Sequence, residues 1–97
     1  MDNHLSCEVI VQAYRRQAAS ASSRARLYLS IREAILARSL DAGTAVPPTR
    51  VLAAELELGR NTVVRAYDQL LVEGYLESRV GSGTFVSDAV SQIASPQ

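Results

Sequence analysis

Residues 60–86 read RNTVVRAYDQLLVEGYLESRVGSGTFV, and within this run a helical pattern gives way to a strand pattern. Apolar side chains first recur at the spacing of an amphipathic helix, which predicts a helix over about 60–73. Two short strand-like runs follow, separated by a Gly-Ser-Gly turn at 81–83, and they predict a β-hairpin over about 75–87. The inner face of the helix is expected to comprise Val63, Ala66, Tyr67, Leu70 and Leu71.

Two more helical patterns precede this run. The first starts near Arg24, where Ser22 or Ser23 can cap it, and carries apolar residues at helical spacing. The second is short, at 50–56, and Thr49 is its expected N-cap. The chain order is therefore helix, short helix, helix and hairpin. This order predicts a winged helix-turn-helix, mainly α, with three helices and a two-stranded β wing.

The domain is expected to occupy only part of the chain. We place it at 23–87 and predict a linker or tail at 88–97, where the sequence becomes small and polar. Residues 1–22 are ambiguous, because their apolar side chains fit a helical stripe and strand alternation equally well. The structure of this N-terminal segment is left open between the two.

The short helix, a tight connection at 57–59 and the third helix form the outline of a helix-turn-helix, whose second helix lies in the DNA major groove. With Val63 and Leu70 facing the core, Asn61 and Arg65 point away from it. Because Asn can pair with an adenine edge and Arg with a guanine edge, both are candidates for reading bases. An ordinary surface helix with a solvated polar face would show the same pattern, so that alternative stays open.

Other side chains are candidates for contacts with the DNA backbone. Arg60 and Thr62 stand at the start of the third helix, whose free N–H groups also favour an anion. Arg50 lies in the first turn of the short helix, where a cation is unfavourable unless it meets a phosphate. In the hairpin, Arg79 offers charge and the glycines would let the turn approach a sugar–phosphate wall, although a plain hairpin turn also uses glycine. The predicted DNA contacts are Arg50, Arg60, Asn61, Thr62, Arg65, Gly81, Ser82, Gly83 and Thr84.

Composition limits the other functions. The chain carries ten basic and ten acidic residues, so it is not a polycation, and zero net charge leaves a protein-interaction module open as an alternative. All the basic residues are Arg, which suits bidentate contacts but also fits a genome-wide bias. A single Cys7 and a single His4 leave almost nothing for a disulfide, a zinc site or a catalytic centre, so no enzyme is expected. Without a signal pattern or an apolar run of about 20 residues, we expect a cytoplasmic protein with no membrane contact.

The run at 45–87, with Leu27-Tyr28 and residues 31–40, resembles the winged helix-turn-helix of GntR-type bacterial transcription regulators. Within that family, the segments RNTVVRAY and GSGTFV look most like the MocR subgroup. Two positions depart from the pattern: Gly59 stands where the family usually has Ser or Thr, and Val64 where many members outside the subgroup have Arg. The resemblance implies sequence-specific DNA binding. The family's DNA contacts match Arg50, Arg60, Asn61, Thr62 and Gly81.

MocR-like regulators join this domain to a large aminotransferase-like domain, which holds pyridoxal 5′-phosphate through a lysine. This chain contains no Lys, so the resemblance implies an excised or truncated N-terminal domain with no cofactor of its own. It also implies a homodimer for the full-length protein on double-stranded DNA, with this fragment left open between monomer and dimer. An inactive fragment of a pyridoxal-phosphate protein is therefore a third interpretation, beside DNA binding and protein binding.

Overall fold

The computed structural model describes residues 4–17 and 22–88, and this part of the chain holds four helices and one two-stranded antiparallel sheet. The predicted winged helix-turn-helix, mainly α with a small hairpin, is confirmed, and one further helix precedes it. Apart from Asp88, the tail predicted at 88–97 lies outside the described residues. The elements are α1 His4–Arg16, α2 Ser23–Leu36, α3 Thr49–Leu56, α4 Arg60–Val72, β1 Leu76–Arg79 and β2 Gly83–Val86.

Helix α1 is the helical outcome of the segment that the sequence left ambiguous. Ile10 and Tyr14 lie one turn apart and are buried in the common core. The Ser6 hydroxyl donates to the Ala45 carbonyl at 2.8 Å. Arg26 of α2 donates through Nε to the Tyr14 carbonyl at 3.1 Å, and its guanidinium lies 4.1 Å from the centre of the Tyr14 ring. These contacts make α1 part of the same fold as α2 and the wing base.

The core lies mainly between α2 and α4. Helix α2 begins after Ser22, whose side chain accepts a hydrogen bond from the Ala25 N–H at 3.2 Å, so one of the two predicted caps is confirmed. The predicted inner face of α4 is buried except for Leu71, which is half-buried. The fully buried side chains of the two helices include Leu27, Ile31, Ile35, Val63, Ala66 and Leu70.

The predicted N-cap of α3 is wrong by one residue. Thr49 is the first residue of the helix, and Pro48 occupies the N-cap position with φ −56° and ψ 148°. The ring of Pro48 fixes an extended entry, and its carbonyl accepts from the N–H groups of Val51 and Leu52 at 3.0 and 3.1 Å. Because proline has no capping side chain, α3 starts without a side-chain cap.

The wing is tied to the connection between α2 and α3. In the hairpin, Leu76 pairs with Val86 and Arg79 with Gly83. The N–H of Val46 donates to the Thr84 carbonyl at 3.0 Å, and the N–H of Val86 donates to the Thr44 carbonyl at 2.8 Å. Residues 43–46 thus act as an extra edge of the hairpin, and this fixes the wing relative to α3 and α4.

Candidate nucleic-acid interface

The exposed face of α4 carries the side chains predicted to read bases. Asn61 and Arg65 lie one turn apart and are exposed, whereas Val63 and Ala66 on the opposite side are fully buried. Thr62 is half-buried. The structure therefore brings Asn61, Thr62 and Arg65 to one surface, as the helical periodicity predicts.

The start of α4 leaves backbone donors for a ligand. Its N-cap is Gly59, which makes no side-chain hydrogen bond, and the Gly59 carbonyl accepts from Thr62 N–H at 3.1 Å. The first N–H groups of an α-helix have no acceptor within the helix, and the helix dipole makes this end favourable for an anion. Arg60 is exposed beside these groups.

The wing and the start of α3 meet at a second surface. A cleft of about 540 Å³ is lined by Thr49 at the start of α3 and by the wing residues at 82–85. Arg50 is exposed next to Thr49, and Gly81 is exposed at the wing tip. Predicted contacts on α3 and on the wing therefore lie on neighbouring parts of the surface.

The single arginine of the wing is already paired. Both Nε and Nη2 of Arg79 donate to Glu77 Oε2, at 3.1 and 2.8 Å. Its guanidinium also lies 4.2 Å from the centre of the Phe85 ring. The charge of Arg79 is therefore balanced by Glu77 in this structure, and the tip itself offers hydroxyl and backbone N–H groups.

The arginines of α3 and α4 differ from Arg79 in this respect. Among the described residues, Arg50, Arg60 and Arg65 form no ion pair and no hydrogen bond through their side chains. The zero net charge thus conceals an uneven distribution of charge, with unpaired cations in the first half of each helix of the helix-turn-helix. A surface of this kind attracts the phosphates of nucleic acid.

Two tyrosine hydroxyls hold α4 against α2 and against the α2–α3 connection. The Tyr28 hydroxyl donates to Glu73 Oε1, and burial together with this hydrogen bond raises the pKa of Tyr28. The Tyr67 hydroxyl donates to the Pro47 carbonyl at 2.6 Å. Burial raises the pKa of Tyr67, so its hydroxyl stays protonated and remains a donor. These bonds fix the orientation of the exposed face.

Sequence reasoning missed the start of α2 as a neighbour of this face. Ser22, Ser23 and Arg24 lie beside Asn61 and Arg65 in a shared cleft. No periodic signal links two segments so far apart in the chain, since their proximity depends on how α2 packs on α4. The sequence offers one signal for this neighbour: Arg24, like Arg60, stands close to the start of a predicted helix.

Metal and membrane sites receive no support from the described part of the chain. Residues 4–17 and 22–88 contain no group of three or more His, Cys, Asp or Glu that could hold a metal ion. No helix found there has the length and apolar character needed to cross a bilayer.

Known proteins resemble the chain over the same region. A family model described as "Bacterial regulatory proteins, gntR family" matches residues 23–86. The chain is 56% identical over 62 residues to the probable rhizopine catabolism regulatory protein MocR of Rhizobium meliloti, which covers 64% of this chain and 13% of that protein. It is also 40% identical over 68 residues to the vitamin B6 salvage pathway transcriptional repressor PtsJ of Salmonella typhimurium. That match covers 70% of this chain and 16% of PtsJ. The chain therefore spans a small part of the length of these two curated relatives.

A solved structure shares the fold. A transcriptional regulator from Oenococcus oeni has a TM-score of 0.72 with this chain at 22% identity, and the match covers 82% of this chain and 68% of that one. At this level of identity the likeness supports the fold alone, which is the arrangement of α1–α4 and the β-hairpin.

Proposed function

Because this chain belongs to the GntR family of bacterial regulatory proteins, we propose that it binds specific sequences of double-stranded DNA, with α4 in the major groove and the hairpin on the adjacent backbone or minor groove. Domains of this family bind DNA and are not catalytic. The observation that carries the proposal is the exposed polar face of α4, where Asn61 and Arg65 lie one turn apart with no acidic partner among the described residues.

The candidate residues fall into three groups by proposed role. Asn61 and Arg65 contact base edges, because their side chains can each make two hydrogen bonds with one base. Arg50, Arg60 and Thr62 bind phosphates and set the register of α4 in the groove. The wing, residues 81–84, contacts the neighbouring backbone through hydroxyl and N–H groups, since Arg79 is held by Glu77.

A protein-interaction module is the alternative that zero net charge favours. The exposed face of α4 argues against it, because protein-binding surfaces are typically richer in aromatic and apolar side chains at their centre. The first half of that face carries Asn61, Thr62 and Arg65, none of which is apolar or aromatic. We therefore place DNA binding first and make protein binding the interpretation that a negative DNA result would favour.

The whole protein is proposed to act as a homodimer on two half-sites in the bacterial cytoplasm, where it meets the chromosome. We propose no pyridoxal 5′-phosphate site within this chain, because it has no lysine to form the imine. The cofactor is proposed only for an additional aminotransferase-like domain. The PtsJ relative, named for vitamin B6 salvage, supports that extension because pyridoxal phosphate is a form of vitamin B6.

The test is selection of bound duplexes from a random-sequence pool, followed by fluorescence anisotropy with a selected duplex and an unrelated competitor. Arg60→Gln and Arg65→Gln should weaken binding without lowering the melting temperature. Arg38→Gln is the matched control, because Arg38 is exposed beyond the far end of α2. Selective, salt-sensitive binding that only the first two variants lose supports the proposal. No binding at low salt, even after artificial dimerisation, contradicts it.

A further inference from the structure

A shallow cleft of about 470 Å³ opens where the start of α2 meets the start of α4. We call it the α2–α4 cleft. Its lining carries two guanidinium groups, three hydroxyls and one amide, and no carboxylate. Each of these groups can donate a hydrogen bond. The lining residues are Ser22, Ser23, Arg24, Asn61, Thr62 and Arg65.

Helix α4 itself holds Arg24 at this cleft. The Nη1 of Arg24 donates to Gln69 Oε1 at 3.0 Å, and Gln69 lies one helical turn beyond Arg65. The amide nitrogen of Gln69 in turn donates to Glu73 Oε2 at 3.3 Å. Arg24 forms no other side-chain hydrogen bond in the described part of the chain, so most of its five N–H donors are left for a ligand.

The cleft carries positive charge. Across residues 4–17 and 22–88, neither Arg24 nor Arg65 has a carboxylate within ion-pair distance. The carboxylate of Glu73 follows Gln69 in this series of hydrogen bonds, and it accepts from the Tyr28 hydroxyl and the Gln69 amide. The Arg24 guanidinium beside several hydroxyl donors suits a phosphate, which accepts several charge-assisted hydrogen bonds at once, and the charge of Arg65 adds to the attraction.

We propose that the α2–α4 cleft, with Arg24 as its added cation, binds a backbone phosphate of the DNA whose bases α4 reads. The inference rests on the proposed function, because Asn61 and Arg65 form one wall of the cleft and are also the proposed base-reading pair. A helix about 10–12 Å across fills a major groove about 12 Å wide, so groups that flank α4 face the phosphates at the groove edges. Helix α2 thereby adds a contact beyond those of α3, α4 and the wing.

The Arg24–Gln69 bond could also act on stability alone, and two variants separate the roles. Arg24→Gln removes the cation, whereas Gln69→Ala breaks the bond and leaves the cation in place. Arg38→Gln removes one charge beyond the opposite end of α2, about 20 Å away by helix rise. The probe is a selected duplex of about 20 base pairs, two helical turns, titrated over a series of salt concentrations. The melting temperature of each variant is measured in parallel.

Loss of one phosphate contact lowers the slope of log affinity against log salt by about 0.9. The affinity advantage of the wild type over Arg24→Gln should therefore shrink about 3.5-fold for a fourfold rise in salt, on selected and unrelated duplexes alike. Gln69→Ala and Arg38→Gln should keep the wild-type slope. An unchanged slope in Arg24→Gln, or a Gln69→Ala variant that reproduces its whole effect, overturns the inference. A wild type that binds no DNA overturns the proposed function and this inference with it.

A second measurement locates the contact on the DNA. Phosphates of the selected duplex are replaced one at a time by uncharged methylphosphonates. The wild type should lose affinity at a position where Arg24→Gln loses nothing further, which is the signature of direct coupling in a double-mutant cycle. A wild type that binds the duplex but shows no coupled position overturns the inference and leaves the proposed function standing.

Discussion

At the scale of single residues, the partner of each arginine determines whether its charge is available to DNA. Arg79 is bound by Glu77 and lies against Phe85, so the wing is close to neutral. Arg65 has no such partner among the described residues. The sequence predicts both arginines as contributors of charge, because it shows that they are present but not which carboxylate each one meets.

Glu77→Gln should therefore strengthen DNA binding. The substitution removes a negative charge from the wing and frees Arg79 for a phosphate, which would steepen the salt slope by up to about 0.9. Stability should change little, because an exposed ion pair contributes about 0–1 kcal/mol. The measurement is anisotropy with a selected duplex over a salt series. Glu8→Gln, at an exposed position of α1, is the control for net charge; equal gains in both variants would mean that Arg79 has no role.

Gly59→Ser should stabilise the domain. Gly59 has φ −65° and ψ 144°, which any residue can adopt, and an added Cβ would meet only Thr62 Oγ1 at 4.0 Å. A serine hydroxyl could accept from a first-turn N–H, and the unfolded chain would lose entropy, together raising the free energy of unfolding by about 0.5–1 kcal/mol. Urea denaturation measures this change. The contrasting variant is Gly81→Ser, where φ of +77° strains an L-residue, so it should destabilise; a destabilised Gly59→Ser would contradict the capping argument.

At the scale of elements, sequence reasoning succeeded where a pattern was long and local. The regular spacing of apolar residues predicts α4, and the Gly-Ser-Gly turn between two short β-prone runs predicts the hairpin. Thr49 was misplaced because both Thr and Pro fit a helix start, and the choice depended on the backbone at Pro48. The α2–α4 cleft could not be predicted, since Arg24 and Gln69 meet only through helix packing.

The N-terminal helix α1 tests the contrast between local pattern and packing. Its sequence fits both helical and strand periodicity, so we attribute its helical structure to packing against the core. Ile10→Ala should lower the free energy of unfolding by about 2–5 kcal/mol, since Ile10 is 0% exposed within the common core. Leu5→Ala is the matched control on the same helix, where the side chain is 72% exposed and little should change. Thermal and urea unfolding measure both. Equal and small effects would mean that α1 does not belong to the cooperative fold.

At the scale of the whole molecule, zero net charge is compatible with DNA binding because binding depends on where the cations lie and not on the sum of the charges. Arg50 and Arg60 lie at the starts of α3 and α4, Arg65 lies just over one turn further into α4, and Arg24 joins them through the packing of α2. The acidic residue Asp68 lies in the second half of α4, and Glu73 directly follows its last residue. A small set of oriented cations supplies few phosphate contacts, so one copy of the domain should bind with a shallow salt dependence and modest affinity.

Joining two copies should therefore raise affinity far more than any single substitution. Fusion of the chain to a parallel coiled coil makes the second binding event intramolecular, and we expect a gain of about 10²–10⁴ on DNA with two half-sites. The gain should depend on half-site spacing, with maxima about 10 base pairs apart, because both copies must meet the same side of the duplex. On DNA with one half-site, fused and unfused chains should bind alike per site, as measured by anisotropy. A fused chain that gains equally on both DNAs, or at every spacing, would show non-specific charge accumulation and contradict half-site recognition by α4.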